Sequence, residues 1–152
     1  METVSVIVYR SRSAGPASDI DLLYLLAQAR ARNELEGITG LLLYDRGRFY
    51  QWIEGAERPL RAVWESILRD ARHTHVELLA DQRQPFRLFR EWSMGFAHRD
   101  SQFGQFMDGF TEADAGLLDD LHHSTDGVPR ILARFSSLPT PFDDPRIVPS
   151  QP

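Results

Sequence analysis

The chain contains no cysteine among its 152 residues. This absence excludes disulfide bonds, thiol nucleophiles and zinc–thiolate sites. It also excludes any chemistry or cofactor attachment that needs a thiol. A ligand of this protein is therefore expected to be held by noncovalent contacts.

Long apolar runs and basic clusters are also missing from the sequence. No apolar run approaches the length of a membrane span, and the N-terminal METVSVIVYR lacks the basic start and cleavage site of a signal peptide. A cytoplasmic protein without membrane association is therefore expected. The formal net charge of −5 and the lack of a Lys/Arg cluster argue against nucleic-acid binding. The composition, 42% hydrophobic and 26% charged, is that of an ordinary globular domain.

The spacing of apolar residues predicts the element order βαββαββ. Strands are expected at 4–11, 38–44, 48–54, 75–82 and about 90–97. Ser18 and Asp21 form a capping-box pattern at the start of the first helix, and Pro59 suits the first turn of the second. This order predicts a ferredoxin-like α+β sandwich with two helices on one face of a mixed five-stranded sheet.

The first strand is apolar on both faces, because Val4, Val6 and Val8 alternate with Ile7 and Tyr9. Two helices can cover only one face, so a second cover is needed. Residues 101–135 are predicted to form helices that supply it. Apolar residues at helical spacing mark this segment: Phe103, Phe106, Met107, Phe110, Leu117, Leu118 and Leu121.

The predicted division of the chain follows from this change in character. Residues 1–97 form the main domain, 98–137 a C-terminal helical cap or output segment, and 138–152 an irregular proline-rich tail. Within the cap segment, Thr111 and Asp114 are expected to cap one helix, and Pro129 to begin a short last one.

The five histidines do not predict a metal site. His122 and His123 are adjacent on a predicted helix, so their side chains point about 100° apart. His73 and His75 have the spacing of one strand face, but no carboxylate pattern completes a ligand set. Ordinary surface positions are expected for these histidines.

A glutamine lies within the otherwise apolar face of the stretch RFYQWIEG, residues 48–55. Gln51 shares its strand face with Phe49 and Ile53, and a buried amide group left without a partner costs about 1–3 kcal/mol. Tyr9 similarly shares a face with Ile7 on the first strand. A buried Tyr–Gln hydrogen bond explains both residues structurally.

Polar residues also end both predicted helices. Asn33 ends the first helix, and Asp70, Arg72 and His73 end the second. Taken singly, they favour an Asn cap and a solvated helix end. Taken together with Tyr9 and Gln51, they favour a slot for a planar, hydrogen-bonding ligand.

Five stretches carry a resemblance to a known family. They are VYRS (8–11), RNELEGITGLLLY (32–44), RFYQWIEG (48–55), RDARH (69–73) and FREWSMGF (89–96). Together they resemble the BLUF domain, a flavin-binding sensor of blue light. Each stretch is short, but the five occur in family order and at family spacing over about residues 1–97.

The resemblance implies a noncovalent FAD between the two helices, with FMN and riboflavin kept as alternatives. It implies that Tyr9 is the electron and proton donor, and that Gln51 lies between Tyr9 and the N5/C4 carbonyl edge of the flavin. Asn33 is implied to bond the other polar edge of the ring. The ribityl and phosphate side is implied to contact Arg32, Asp70, Arg72 and His73. Position 32 is Arg here, where relatives often have Asn or His.

The resemblance also implies how the signal arises and leaves. Trp92 and Met94 match the W-x-M pattern of the last strand, where the family's signal is thought to leave the flavin. Light-driven transfer from Tyr9 is implied to rearrange the Gln51 hydrogen bonds and to produce a red-shifted state. The sequence leaves open whether the Gln51 amide rotates or tautomerises, and whether Trp92 or Met94 lies next to the flavin.

The implied function is that of a short stand-alone photoreceptor that is not itself an enzyme. Its output is expected to be altered contact with a separate effector or regulator protein, or with a sister subunit of a homo-oligomer. Two alternatives remain: a light-insensitive flavin or small-molecule binding module, and an acylphosphatase-like hydrolase. The hydrolase would use Arg32 and Asn33, but no phosphate loop is visible beside the first strand.

Overall fold

The computed structural model describes residues 3–98, 110–112, 115–124 and 127–136. The elements in chain order are β1 Val4–Ser13, α1 Asp19–Glu36, β2 Thr39–Asp45, β3 Arg48–Gly55, α2 Glu57–Arg69, β4 His73–Gln84, β5 Gly95–His98, β6 Phe110–Glu112, α3 Ala115–His123 and α4 Val128–Ala133. The predicted α+β sandwich with a mixed sheet is confirmed. The short strand β6 is an addition that the sequence pattern did not predict.

The first strand lies inside the sheet, as its two apolar faces indicate. Over the described residues the strands follow the order β4-β1-β3-β2-β5-β6. β1 is antiparallel to both of its neighbours, whereas β5 is parallel to β2. Because β1 and β3 are adjacent and in register, Tyr9 lies directly opposite Gln51.

Local sequence signals set the ends of the elements that surround the sheet. Ser18 accepts the backbone N–H of Asp21 and closes the predicted capping box, and Gly37 ends α1 in the left-handed conformation at φ 66°. Arg46 and Gly47 both have positive φ, at 51° and 77°, and they turn β2 into β3. A two-residue turn of this kind matches the twist of a β-hairpin.

The two faces of the sheet carry separate apolar layers. On one face, Ile7 and Ile53 pack with Leu26 of α1 and Leu60 of α2. On the other face, side chains of the sheet pack with side chains of the C-terminal helices, and this layer contains Val6, Val8, Leu41, Leu43, Trp52, Leu118, Leu121, Val128 and Leu132. Each fully buried side chain of this size contributes about 1.5–3 kcal/mol. The C-terminal helices therefore cover the second face, as predicted.

The fifth strand is shorter than predicted, and this corrects the placement of Trp92. β5 begins only at Gly95, so Trp92 lies in an irregular connection. Alternation holds only along extended backbone, and Trp92 instead closes a turn by donating its N–H to the Phe89 carbonyl. Trp92 packs on the face covered by α3 and α4, whereas Met94 and Phe96 belong to the opposite layer.

The start of the cap segment also differs from the prediction. Phe110 and Thr111 were expected in or at the start of helices, but both lie in β6, and α3 begins at Ala115. The predicted last helix is present as α4, with Pro129 in its first turn. Phe103, Phe106, Met107 and the tail 138–152 lie outside the described residues, and the division at residues 97 and 137 stays a prediction. In the part of the chain that the structure describes, no helix is both long and apolar enough to cross a bilayer.

Candidate functional site

A cavity of about 470 Å³ lies between α1, α2 and the first three strands. Its size falls within the range of small-molecule and cofactor sites. It is lined by Tyr9, Leu25, Gln28, Ala29, Arg32, Leu42, Phe49, Gln51, Ser66, Ile67, Arg69, Asp70, Arg72 and His73. Apolar side chains from both helices form the walls, and polar groups are gathered at the floor and at the mouth. This arrangement suits a planar ring that carries polar edges and a charged chain.

Tyr9 and Gln51 form the polar floor of the cavity. The Tyr9 hydroxyl donates a hydrogen bond to Gln51 Oε1. Burial raises the pKa of Tyr9 above its ordinary value, although the nearby Arg32 guanidinium opposes this shift. Tyr9 is therefore a protonated donor throughout the physiological pH range. The predicted pairing of these two residues is present in the structure.

The other end of the Gln51 amide faces Met94. Gln51 Nε2 lies 3.5 Å from the Met94 Sδ and donates to it. A thioether sulfur is a weak acceptor, so this bond is the weaker of the two that Gln51 makes. Met94 is fully buried beside the cavity floor, whereas Trp92 packs on the other face of the sheet, with its ring stacked 6.0 Å from that of Phe89. The structure thus brings Met94, and not Trp92, to Gln51.

Asn33 holds the segment that carries Met94. Asn33 is fully buried, and its Nδ2 donates to the Ser93 carbonyl at 2.8 Å. The flanking carbonyls are also bound: Trp92 O accepts from Gly40 N at 3.1 Å, and Met94 O accepts from Arg30 Nε at 2.9 Å. The contributions of Arg30 and Gly40 were not foreseen from the sequence. Asn33 does not line the cavity, so its predicted contact with a ligand stays a prediction.

Charged groups stand at the mouth of the cavity. Arg72 and Asp70 form an ion pair at 2.6 Å, and Arg72 Nη1 donates to Gln28 Oε1 of α1 at 2.8 Å. The hydrogen bond from Arg72 lowers the pKa of the Asp70 carboxyl. Burial lowers the pKa of Arg32, which remains charged at neutral pH. Arg69 also lines the cavity, and three guanidinium groups against one carboxylate leave the mouth positive.

His73 lines the cavity, but its two ring nitrogens are engaged within the protein. Its Nε2 lies 2.7 Å from the Ile67 carbonyl, and its Nδ1 lies 2.8 Å from Ser11 Oγ. Because a carbonyl can only accept, Nε2 carries a hydrogen and donates it to Ile67, while Nδ1 bonds the serine hydroxyl. His73 therefore ties the end of α2 to β1. The cofactor contacts predicted for His73, Arg32, Asp70 and Arg72 stay predictions.

His122 is not the surface residue that the sequence suggested. Its side chain is 11% exposed, and its Nε2 bonds Asp45 Oδ2 at 2.7 Å. Its Nδ1 bonds the hydroxyl of the buried Tyr50 at 2.9 Å. These partners are 77 and 72 residues away in the chain, so no local pattern could have shown the contact. Among the described residues, no group of three or more His, Asp or Glu side chains has the arrangement of a metal site.

Glu54 is a second residue that the sequence did not single out. Its fully buried carboxylate accepts five hydrogen bonds, which come from Trp52 Nε1, Gln84 Nε2, Thr39 Oγ1 and the backbone N–H groups of Leu88 and Phe89. The last two belong to the connection between β4 and β5. Glu54 therefore anchors to the sheet the same connection that ends at Met94.

Comparison with protein families identifies one match. Residues 4–95 match the family model described as BLUF, sensors of blue-light using FAD. A photoactivated adenylate cyclase subunit beta from Euglena gracilis is 32% identical over 98 residues, which are 62% of this chain and 11% of that protein. The blue light- and temperature-regulated antirepressor BluF from Escherichia coli is 33% identical over 94 residues, which are 60% of this chain and 23% of that protein. The matched region is thus a small part of both relatives.

Solved structures share the fold over most of the chain. The dark-state structure of BlrB, described as a BLUF protein, has a TM-score of 0.72 and 27% identity, and the match covers 89% of this chain and 96% of BlrB. BlrP1 from Klebsiella pneumoniae has a TM-score of 0.60 and 26% identity over 95% of this chain and 31% of its own.

Proposed function

The chain belongs to the BLUF family of sensors of blue light, and we propose that it binds FAD noncovalently in the cavity between α1 and α2. The observation that carries the proposal is the hydrogen bond between Tyr9 and Gln51 at the floor of that cavity. A buried amide of this kind has a second, weakly satisfied end, which suits the polar edge of a flavin ring. The positive mouth formed by Arg32 and Arg72 suits the phosphate side of the cofactor.

When bound, the flavin supplies absorption of blue light and an excited state that accepts an electron. Tyr9 is the residue placed to respond, because its hydroxyl is protonated, buried and already bonded to Gln51 Oε1. Loss of an electron from the phenol makes its hydroxyl strongly acidic, and Gln51 Oε1 is the atom that lies ready to accept the proton.

Gln51 then acts as the switch. Rotation of the amide, or its conversion to the imidic tautomer, exchanges a donor for an acceptor. Rotation would turn Nε2 toward the Tyr9 oxygen and Oε1 toward Met94, which removes the hydrogen bond from Nε2 to Met94 Sδ. The Met94 side chain therefore loses its hydrogen bond to Gln51 when the amide rotates. Arg30 donates a hydrogen bond to the backbone carbonyl of Met94, and β5 begins at the next residue, Gly95.

We infer that the output is a change in protein contacts rather than a reaction catalysed by this chain. The cyclase and antirepressor relatives match this chain over only 11% and 23% of their lengths. Their named activities are therefore attributed to the regions beyond the match. A separate effector protein or a sister subunit is the expected partner here, and a cytoplasmic location stays a prediction. The acylphosphatase-like alternative gains no support, because Asn33 is engaged by Ser93 and does not line the cavity.

A single absorption experiment tests the proposal. The purified protein should show the spectrum of an oxidised flavin, which shifts reversibly to longer wavelength under blue light and recovers in the dark. Acid or heat should release the free flavin, and chromatography then distinguishes FAD from FMN and riboflavin. A sample illuminated with red light is the control and should not shift. A flavin that does not respond to blue light would leave only the light-insensitive binding module.

Met94 and Trp92 should differ in their effect on the photocycle. Met94→Leu removes the acceptor of Gln51 Nε2, and we expect the dark-recovery rate to change about two- to tenfold, the equivalent of one weak hydrogen bond. Trp92→Phe should have a smaller effect, because Trp92 packs on the opposite face of the sheet. Recovery kinetics after a blue flash measure both. A larger effect from Trp92→Phe than from Met94→Leu would contradict the placement of these side chains.

A further inference from the structure

A second cavity, of about 350 Å³, lies on the opposite side of the sheet beside the end of α3. Arg10, Arg12 and Arg48 line it, together with His75 and Glu77 of β4. Among its described lining residues, Glu77 is the only carboxylate. Asp45 is directly opposite Arg48 in the strand register and binds the lining residue His122. Three guanidinium groups against two carboxylates therefore leave this cleft with an excess of one positive charge, in a chain whose net charge is −5. We call it the basic cleft.

The basic cleft arises from the alternation of β1. Val6 and Val8 lie on the face that α3 and α4 cover, and Arg10 and Arg12 continue the same face toward the end of the strand. The apolar part of this row is buried under the C-terminal helices, whereas the charged part lies beyond them. The arginines are scattered along the sequence and become a cluster only in the sheet.

Two of these arginines form a like-charge pair. Arg12 of β1 and Arg48 of β3 are directly opposite each other in the strand register. Like charges at directly opposed positions destabilise a sheet. Arg10 has a carboxylate partner, Glu77, at 2.7 Å, but Arg12 forms no ion pair with the residues that the structure describes. An anion placed between Arg12 and Arg48 would turn this repulsion into attraction.

We propose that the basic cleft binds a small phosphorylated anion through Arg12 and Arg48. A phosphate monoester carries close to two negative charges at neutral pH, and this charge is opposite in sign to the excess charge of the cleft. The planar guanidinium group binds phosphate oxygens with two parallel hydrogen bonds, and two such groups can hold one phosphate. The volume exceeds that of a phosphate alone and leaves room for a nucleoside or sugar. The concave walls, from β4 and the end of α3, favour a small molecule over a flat macromolecular surface.

The cleft also contacts the residues that hold the cap to the sheet. Arg10 Nη1 donates to the Ser124 carbonyl at the end of α3, at 2.8 Å, and His122 is another lining residue. On β1 and β3, the pair Arg10 and Tyr50 directly follows the pair Tyr9 and Gln51. The basic cleft and the cofactor cavity are therefore back to back across the sheet. The binding itself does not depend on light, so it can be tested in the dark.

Isothermal titration calorimetry of the flavin-loaded protein, kept dark and at constant ionic strength, tests the proposal with adenosine monophosphate and inorganic phosphate as probes. We expect saturable binding of one molecule of the nucleotide, and weaker binding of phosphate at the same place. Arg12→Gln and Arg48→Gln should each weaken binding about tenfold or more, since each removes a charged hydrogen-bonding partner. Glu77→Gln should strengthen binding, because it frees Arg10 from its carboxylate.

Arg58→Gln is the matched control, since it removes the same charge from an exposed position on α2 that does not line the cleft. It should bind the probes like the parent. Thermal melting gives a second measure: the nucleotide should raise the melting temperature of the parent but not of Arg12→Gln. Absence of saturable binding by both probes would overturn the proposal. Equal weakening by Arg12→Gln and Arg58→Gln would overturn it too, because that result indicates general charge attraction.

Discussion

Tyr9→Phe should abolish the light-induced red shift while the flavin remains bound. The substitution removes only the hydroxyl that donates to Gln51, and it keeps the ring that packs 5.2 Å from Trp64. Without that hydroxyl, the chain loses the proton that initiates the rearrangement of the amide. Difference spectra before and after blue light measure the effect, and flavin content per protein shows that the site is still occupied.

Tyr24→Phe is the matched control for this variant. Tyr24 lies on α1 and is 67% exposed, so the same chemical change there leaves the cavity floor intact. It should photocycle like the parent. If Tyr9→Phe produced the full red shift of the parent, Tyr9 would not be the donor, and the role of the Tyr9–Gln51 hydrogen bond would have to be abandoned.

Gln51→Leu tests the same bond from its other side. It should also remove the red shift, because the leucine side chain has no hydrogen-bond donor and acceptor that could exchange places. It leaves the buried Tyr9 hydroxyl without its acceptor, which costs about 1–3 kcal/mol of unfolding free energy. The double variant Tyr9→Phe, Gln51→Leu should lose less stability than the sum of the two single variants, since both partners are then apolar. Additive losses in denaturant unfolding would indicate that the two side chains are not coupled.

The cofactor cavity could be anticipated because its key features are local in the sequence. Strand alternation places Tyr9 beside Ile7 on one strand and Gln51 beside Phe49 on another, and polar residues mark the ends of the two helices. The sheet register then makes the two residues direct neighbours. The predicted fifth strand, about 90–97, began too early, because Trp92 lies in the irregular connection before Gly95.

The contacts that could not be anticipated join residues far apart in the chain. His122 depends on Asp45 and Tyr50, which no local pattern connects to it. Glu54 lies near the end of β3, and its carboxylate is buried by the connection between β4 and β5. A charged residue within an apolar stretch is a general sign of such a network, because a buried charge must be compensated by hydrogen bonds or by an opposite charge.

Glu54→Ala should produce the largest loss of stability among these variants. It leaves the indole N–H of Trp52 and the backbone N–H groups of Leu88 and Phe89 without their acceptor in a buried site. At about 1–3 kcal/mol for each orphaned donor, the loss should be at least about 3 kcal/mol. For a domain of this size that corresponds to a fall of about 6–12 °C in melting temperature. Glu65→Ala, at an exposed position on α2, is the control and should change the stability by less than about 0.5 kcal/mol.

Glu54→Gln separates the charge of this residue from its shape. The amide keeps the volume of the carboxylate, but its NH₂ group replaces one acceptor and then faces donors. If the NH₂ group takes the place of Oε2, it faces the Phe89 N–H, and two donors then oppose each other. The connection between β4 and β5 should therefore loosen at that point. We therefore expect intermediate stability, together with faster hydrogen exchange at residues 86–94. Because the same connection presents Met94 to Gln51, the dark-recovery rate should change as well, although Glu54 lies on the opposite face of β3 from the flavin cavity. Unchanged recovery in a variant with lowered stability would show that Glu54 supports the fold alone and does not position Met94.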